Sequence, residues 1–207
     1  MYNSMFNLTN YFYEVVLKRR NMLAYQSFLE KSQWLPREKL KTYQWEELSK
    51  LLQHAYEQVP YWRRQFDDRN LKPVDIKTYD DLRKLPVTDK DTIRAHYDEM
   101  RAADYTGKTW KKSTGGSTGQ PLHFEYTADS YDWRVACSKR GYRWAGCEDG
   151  IKQAYIWGVA IGKTPLLKKI KENVHHVFLR QRYYNCFGFT EQKMAETLRD
   201  MNSTKPA

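Results

Sequence analysis

Hydrophobic and polar residues alternate along this chain with changing period, and each change of period predicts a change of element. From Tyr11 to Glu30 aromatic and aliphatic residues surround a basic cluster, the pattern of an amphipathic helix that packs on the protein body or rests on a membrane surface, with packing the expected arrangement. Pro36 closes that region. Trp45, Leu48, Leu51, Leu52, Ala55, Tyr56 and Val59 then fall on one helical face, and Pro60 is expected to stop the helix. Between Asp67 and Lys90, Pro73 and Pro86 break the chain into short elements, and Thr88 or Asp89 stands where it can cap a short helix through Tyr97.

Around Trp110 the period shifts towards two. A short strand, a glycine-rich turn and a second strand from Leu122 to Tyr126, with Leu122, Phe124 and Tyr126 alternating with polar residues, predict a hairpin with an unusual loop. A helix follows from about Ala128 to Ala145 and ends at Gly146. The apolar run Ala154 to Trp157 predicts a buried strand, Pro165 to Lys171 a basic helix, and Thr190 caps a last helix through Met201. Strand and helix alternate as in an α/β lobe. The expected division is a helical segment over 1–40 and a lobe over 41–207.

Composition narrows the class. The 207 residues are 41% hydrophobic and 29% charged, with 7 Trp, 16 Tyr and 8 Phe, an aromatic load that calls for a folded interior. Lys and Arg number 35 against 25 Asp and Glu, and the net charge of +10 favours anionic partners: a nucleotide, a phosphate-bearing cofactor, nucleic acid or an acidic membrane. The basic residues are spread along the chain, with no zinc knuckle, basic zipper or ribonucleoprotein motif, so nucleic acid is not expected. Cys137, Cys147 and Cys186 form no CxxC pair, which fits free thiols in a reducing compartment. Lys18, Arg19 and Arg20 follow the first apolar residues instead of preceding them, the wrong order for a secretory signal, and no run is long enough to span a bilayer. The expected location is the cytoplasm.

The chemistry-bearing stretch is Ser113-Thr114-Gly115-Gly116-Ser117-Thr118-Gly119-Gln120-Pro121. Three glycines let backbone N–H groups approach a ligand closely, and four hydroxyls offer donors to phosphate oxygens. On composition alone, a polyphosphate cradle and a flexible polar hairpin loop both remain open.

The order of Ser, Thr and Gly before a proline resembles the phosphate-binding loop of adenylate-forming enzymes, in particular the phenylacetate-CoA ligase-like group with its capsular polysaccharide biosynthesis (CapK-type) branch. HAYEQVPYWRR from His54, DIKTYDDLRKLPVTDKDTIR from Asp75, RGYRWAG from Arg140 and YIWG from Tyr155 carry the resemblance further, from about Leu48 to Ala207. It implies a helical amino-terminal lead-in followed by part of the large lobe of an adenylate-forming enzyme. It also implies a reaction in which a small-molecule carboxylate attacks the α-phosphorus of ATP, pyrophosphate leaves, and a thiol such as coenzyme A takes the acyl group. Ser113, Thr114, Gly115, Gly116, Ser117, Thr118 and Gly119 would contact the nucleotide, with Mg²⁺ sharing the phosphate charge.

Two departures stand out. Many relatives carry a lysine shortly after the loop proline, where this chain has Leu122 and His123. The family's Tyr-Gly-x-Thr-Glu-like motif, ribose-binding aspartate, hinge and catalytic lysine lie well downstream, so this chain by itself is expected not to complete adenylation. No catalytic residue is assigned. The alternative is a non-catalytic truncated relative acting as an anion-, membrane- or protein-interaction module.

Four further patterns are read as structural. Phe187-Gly188-Phe189-Thr190-Glu191 is similar to the downstream motif but is expected to be a helix start capped by Thr190. Trp157 to Thr164 nearly spells a Walker loop, yet Trp157 replaces its first glycine and Pro165 follows the threonine. His175-His176 lacks a third ligand at metal spacing and is expected at the surface, while Tyr131, Trp133 and Trp144 are expected to be plain core.

Overall fold

The computed structural model describes residues 2–114, 121–158 and 165–206. The chain forms two compact units, one of Met1–Leu29 with Asp132–Ala207 and one of Glu30–Tyr131.

In the Glu30–Tyr131 unit, the long helix α3 (Arg37–Gln58) begins directly after Pro36. Pro60 does more than end it. The backbone is extended at Val59, and Pro60 takes the first position of α4 (Pro60–Asp67), where a missing N–H costs nothing. Leu52, Phe66 and Ile76 form the buried core, flanked by Trp45, Leu48 and Tyr56 from the predicted α3 face. Leu51, expected on that face, is exposed. Two short 3₁₀ turns, Pro73–Asp75 and Asp80–Lys84, lead to α5 (Lys90–Ala95). The Asp89 carboxylate caps α5 by accepting the Thr92 N–H at 2.7 Å.

The other unit opens with α1 (Tyr2–Tyr11), continues as a π-helical segment (Phe12–Leu17), and resumes as α2 (Met22–Ser32). The single helix expected from Tyr11 to Glu30 is therefore broken, with Arg19 in the left-handed region at φ 52°. The break serves an ion cluster. Arg20 Nε meets Asp132 Oδ1 at 2.7 Å and its Nη1 meets Glu14 Oε2 at 2.9 Å, while the Asn21 N–H donates to Asp132 Oδ2 at 2.9 Å. Glu14 and Asp132 are both buried, so one guanidinium and one amide hold two carboxylates out of water.

α6 (Ala128–Trp144) supplies Ala136 to a core with Met22 and Leu29. Trp133 stacks on Tyr25 at 3.9 Å and meets Phe28 edge-on at 5.9 Å. Past the end of α6, Gly146 takes a φ of 76°, as its position in the sequence predicts. β3 (Gln153–Trp157) runs parallel to β4 (Gln181–Asn185), in register from Gln153 opposite Gln181 to Trp157 opposite Asn185, with α7 (Leu166–Phe178) as the crossover. α7 extends seven residues beyond the basic helix expected at Pro165 to Lys171. α8 (Glu191–Thr204) is tied to β4 through Asp200, which accepts from Arg182 at 2.7 Å and from the Tyr184 hydroxyl at 2.6 Å.

Cys137, Cys147 and Cys186 are free thiols. Among the described residues no helix is long and apolar enough to cross a membrane.

Candidate functional site

The hairpin that carries the glycine loop consists of β1 (Thr109–Ser113) and β2 (His123–Thr127). They pair antiparallel, from Thr109 opposite Thr127 to Ser113 opposite His123. Pairing continues one step past the strands: the Thr114 N–H donates to the Leu122 carbonyl at 3.0 Å. The Leu122 N–H donates in turn to Thr114 Oγ1 at 3.0 Å. The two ends of the loop are thus clamped together. Of the seven expected nucleotide contacts, Ser113 and Thr114 are placed at this clamp, both exposed. Gly115, Gly116, Ser117, Thr118 and Gly119 lie outside the described residues.

Because side chains alternate across a strand, the register sorts the hairpin into two faces. Thr109, Lys111 and Ser113 share one face with Thr127, Glu125 and His123. Glu125 anchors that face. Its Oε2 accepts from the Thr109 hydroxyl at 2.6 Å and lies 3.3 Å from Arg101, and its Oε1 accepts from the Tyr97 hydroxyl at 3.2 Å. These partners, the Thr109 hydrogen bond foremost, hold the Glu125 carboxyl below the usual glutamate range. Burial, and then the same carboxylate, pushes the Tyr97 hydroxyl up. On the opposite face Trp110 stacks on Tyr126 at 5.9 Å, and Tyr126 on Tyr131 at 6.0 Å. Lys108 sits over the Trp110 ring at 5.5 Å.

Glu125 escapes a motif search because a lone glutamate in a strand has no distinctive neighbours. Strand alternation is the signal that could have found it, since it sets Glu125 directly across from Lys111. Lys111 and Lys112 bring positive charge within three residues of the clamp.

The remaining patterns resolve locally. Thr190 caps α8, its hydroxyl accepting the Lys193 N–H at 3.3 Å, so Glu191 stands in a helix's first turn. Residues 159–164 of the Walker-like stretch lie outside the described residues. His176 differs from a plain surface imidazole: it stacks on Tyr183 at 4.4 Å, and Tyr183 stacks on Tyr155 at 4.7 Å. His175 is exposed, as expected; partial desolvation lowers its pKa, and its ring lies 6.3 Å from that of Tyr13. Tyr131 and Trp133 are half-buried, as core residues of α6 should be, but Trp144 is 67% exposed.

The fold is that of part of an adenylate-forming ligase, a mixture of helix and sheet aligning with 2-hydroxyisobutyryl-CoA ligase solved with 2-HIB-AMP and CoA. That alignment has a TM-score of 0.55 at 20% identity and covers 84% of this chain and 37% of that one. An open conformation of the same ligase aligns with a TM-score of 0.55 at 18% identity, over 84% of this chain and 40% of that one. By sequence the chain is similar to phenylacetate-coenzyme A ligases. It is 32% identical over 143 residues to that of Thermus thermophilus, covering 68% of this chain and 32% of the relative. It is 34% identical over 128 residues to that of Escherichia coli K12, covering 60% of this chain and 29% of the relative. The chain therefore spans about a third of the length of the curated relatives it matches. No family model matches it.

Proposed function

We propose that this chain is the amino-terminal portion of an ATP-dependent, carboxylate-activating ligase of the acid-CoA type, and that the loop from Ser113 to Gly119 holds the β- and γ-phosphates of ATP. The observation that carries this reading is the Thr114–Leu122 clamp, which joins the two ends of a Gly/Ser/Thr stretch at the end of a paired hairpin in a chain similar to phenylacetate-CoA ligases.

The clamp suits the task. Thr114 Oγ1 accepts the Leu122 N–H, and its own hydroxyl hydrogen is available to donate to a phosphate oxygen. Lys111 and Lys112 lower the cost of gathering phosphate charge there. In the proposed reaction a carboxylate oxygen bonds to the α-phosphorus, the α–β phosphoanhydride breaks and pyrophosphate leaves; the loop's part is to neutralise and orient the leaving group. Mg²⁺ would share the charge on the β- and γ-phosphates, arriving with the nucleotide. Coenzyme A as acyl acceptor, a role in capsule or surface-polysaccharide biosynthesis and a cytoplasmic location belong to the same proposal.

Calorimetry with ATP·Mg on the wild-type chain and on Gly116→Asp tests the loop assignment. The expected result is binding by the wild type and at least about a tenfold loss in the variant, whose new carboxylate repels the phosphates. Equal binding by both would place the nucleotide elsewhere and sink the loop assignment.

A further inference from the structure

The hairpin carries one of the chain's five histidines, and the strand register puts it at the loop end. Thr114 and Leu122 are joined by the two hydrogen bonds of the clamp, so the next pair inward, Ser113 and His123, is of the kind that exchanges none. Directly opposed side chains come closest in such pairs, with Cβ atoms about 4.5–5.5 Å apart. Ser113 and His123 therefore stand side by side on one face, one residue from the clamp, and both are exposed. A hydroxyl and an imidazole at that spacing suit two oxygens of one phosphate group.

The charged groups on this face are Lys111, diagonal to His123 across the hairpin, and Glu125, two residues along β2. Glu125 is already engaged by Thr109, Tyr97 and Arg101. Arg101 and Lys111 outnumber that one carboxylate, so the face is cationic. Lys112 and Thr114 fall on the opposite face. Imidazole differs from its neighbours in changing charge between about pH 5 and pH 8. A phosphate set against it favours the charged form, so binding there draws a proton from solution.

We propose that His123, protonated, donates to a phosphate oxygen of the nucleotide beside Ser113, and that nucleotide binding is thereby coupled to proton uptake. The inference rests on the phosphate-loop reading and adds to it a residue and a pH response.

Calorimetry with ATP·Mg on the full chain, in buffers of different ionisation enthalpy between about pH 6 and pH 8, measures affinity and proton uptake together. Near neutral pH the wild type is expected to take up more protons per nucleotide bound than His123→Gln, a comparison that cancels the titration of ATP itself. The affinity advantage of the wild type over this variant should be small at the alkaline end and grow to about tenfold at the acid end, the factor that one pKa unit of coupling represents. His123→Lys keeps its charge over the whole range. It should bind tightly at both ends and show the low proton uptake of His123→Gln. Circular dichroism and the thermal midpoint check that each variant remains folded.

Equal affinity and proton uptake in the wild type and folded His123→Gln overturn the inference, and the loop reading survives if Gly116→Asp still loses binding. A loss in His123→Gln that is the same at every pH, and that His123→Lys does not restore, marks a structural role and equally overturns it. No binding by the wild type, or equal binding by Gly116→Asp, removes the loop reading and this inference with it.

Discussion

Glu125 shows how one residue ties a hairpin to the groups around it. Its carboxylate ties β2 to Thr109 on β1, to Tyr97 and to Arg101, all within the Glu30–Tyr131 unit. Because its folded-state pKa lies below the unfolded value, the stabilisation is fully present above the ordinary glutamate pKa of about 4.3 and is lost as pH falls through the folded value. Urea unfolding of the wild type between pH 7 and pH 3 should therefore show a loss of stability on the acid side. In Glu125→Gln that loss should be smaller, and an unchanged pH dependence would show that the carboxylate has no such role. Arg20 is the counterpart in the other unit, where it gathers Glu14 and Asp132. Nothing in the sequence around Arg20 announces Asp132, which follows more than a hundred positions later.

At the scale of elements, local signals placed most boundaries. Asp89 and Thr190 each cap the helix that follows, and Gly146 ends α6, because caps and left-handed glycines act over three or four residues. The missed elements have equally physical causes. β4, Gln-Arg-Tyr-Tyr-Asn, carries no apolar run, and its strand identity comes from parallel pairing with β3 across the α7 crossover. The break at Arg19 sits inside a pattern that reads as continuous helix, since the ion cluster that rewards it is non-local. Packing between elements also makes a quantitative statement. Phe66 from α4 is fully buried against Leu52 from α3 and Ile76, with the Tyr56 ring edge-on at 5.6 Å. Phe66→Ala should lower the stability of the Glu30–Tyr131 unit by about 3–5 kcal/mol in urea unfolding. A change under about 1 kcal/mol would mean that this cluster is not a core.

Over the whole molecule, charge is the property that composition predicts best. For the proposed ATP site, a net +10 should make binding sensitive to ionic strength, since the Debye length shrinks from about 10 Å at 0.1 M to about 3 Å at 1 M. ATP affinity, measured by calorimetry across that range, is expected to fall several-fold. A flat response would mean that hydrogen bonds from the loop dominate over the field of the surrounding lysines.

The sequence by itself determined the elements whose causes are local: the hairpin, most of the capped helices, and a Gly/Ser/Thr loop whose resemblance points to phosphate. Tertiary structure alone decided which distant groups meet. It clamped Thr114 to Leu122, set Glu125 against Thr109, Tyr97 and Arg101, and paired β4 with β3. The reason is range. Hydrophobic period, capping and turn chemistry are written within a few residues, whereas pairing, charge clustering and exposure depend on what the rest of the chain brings alongside.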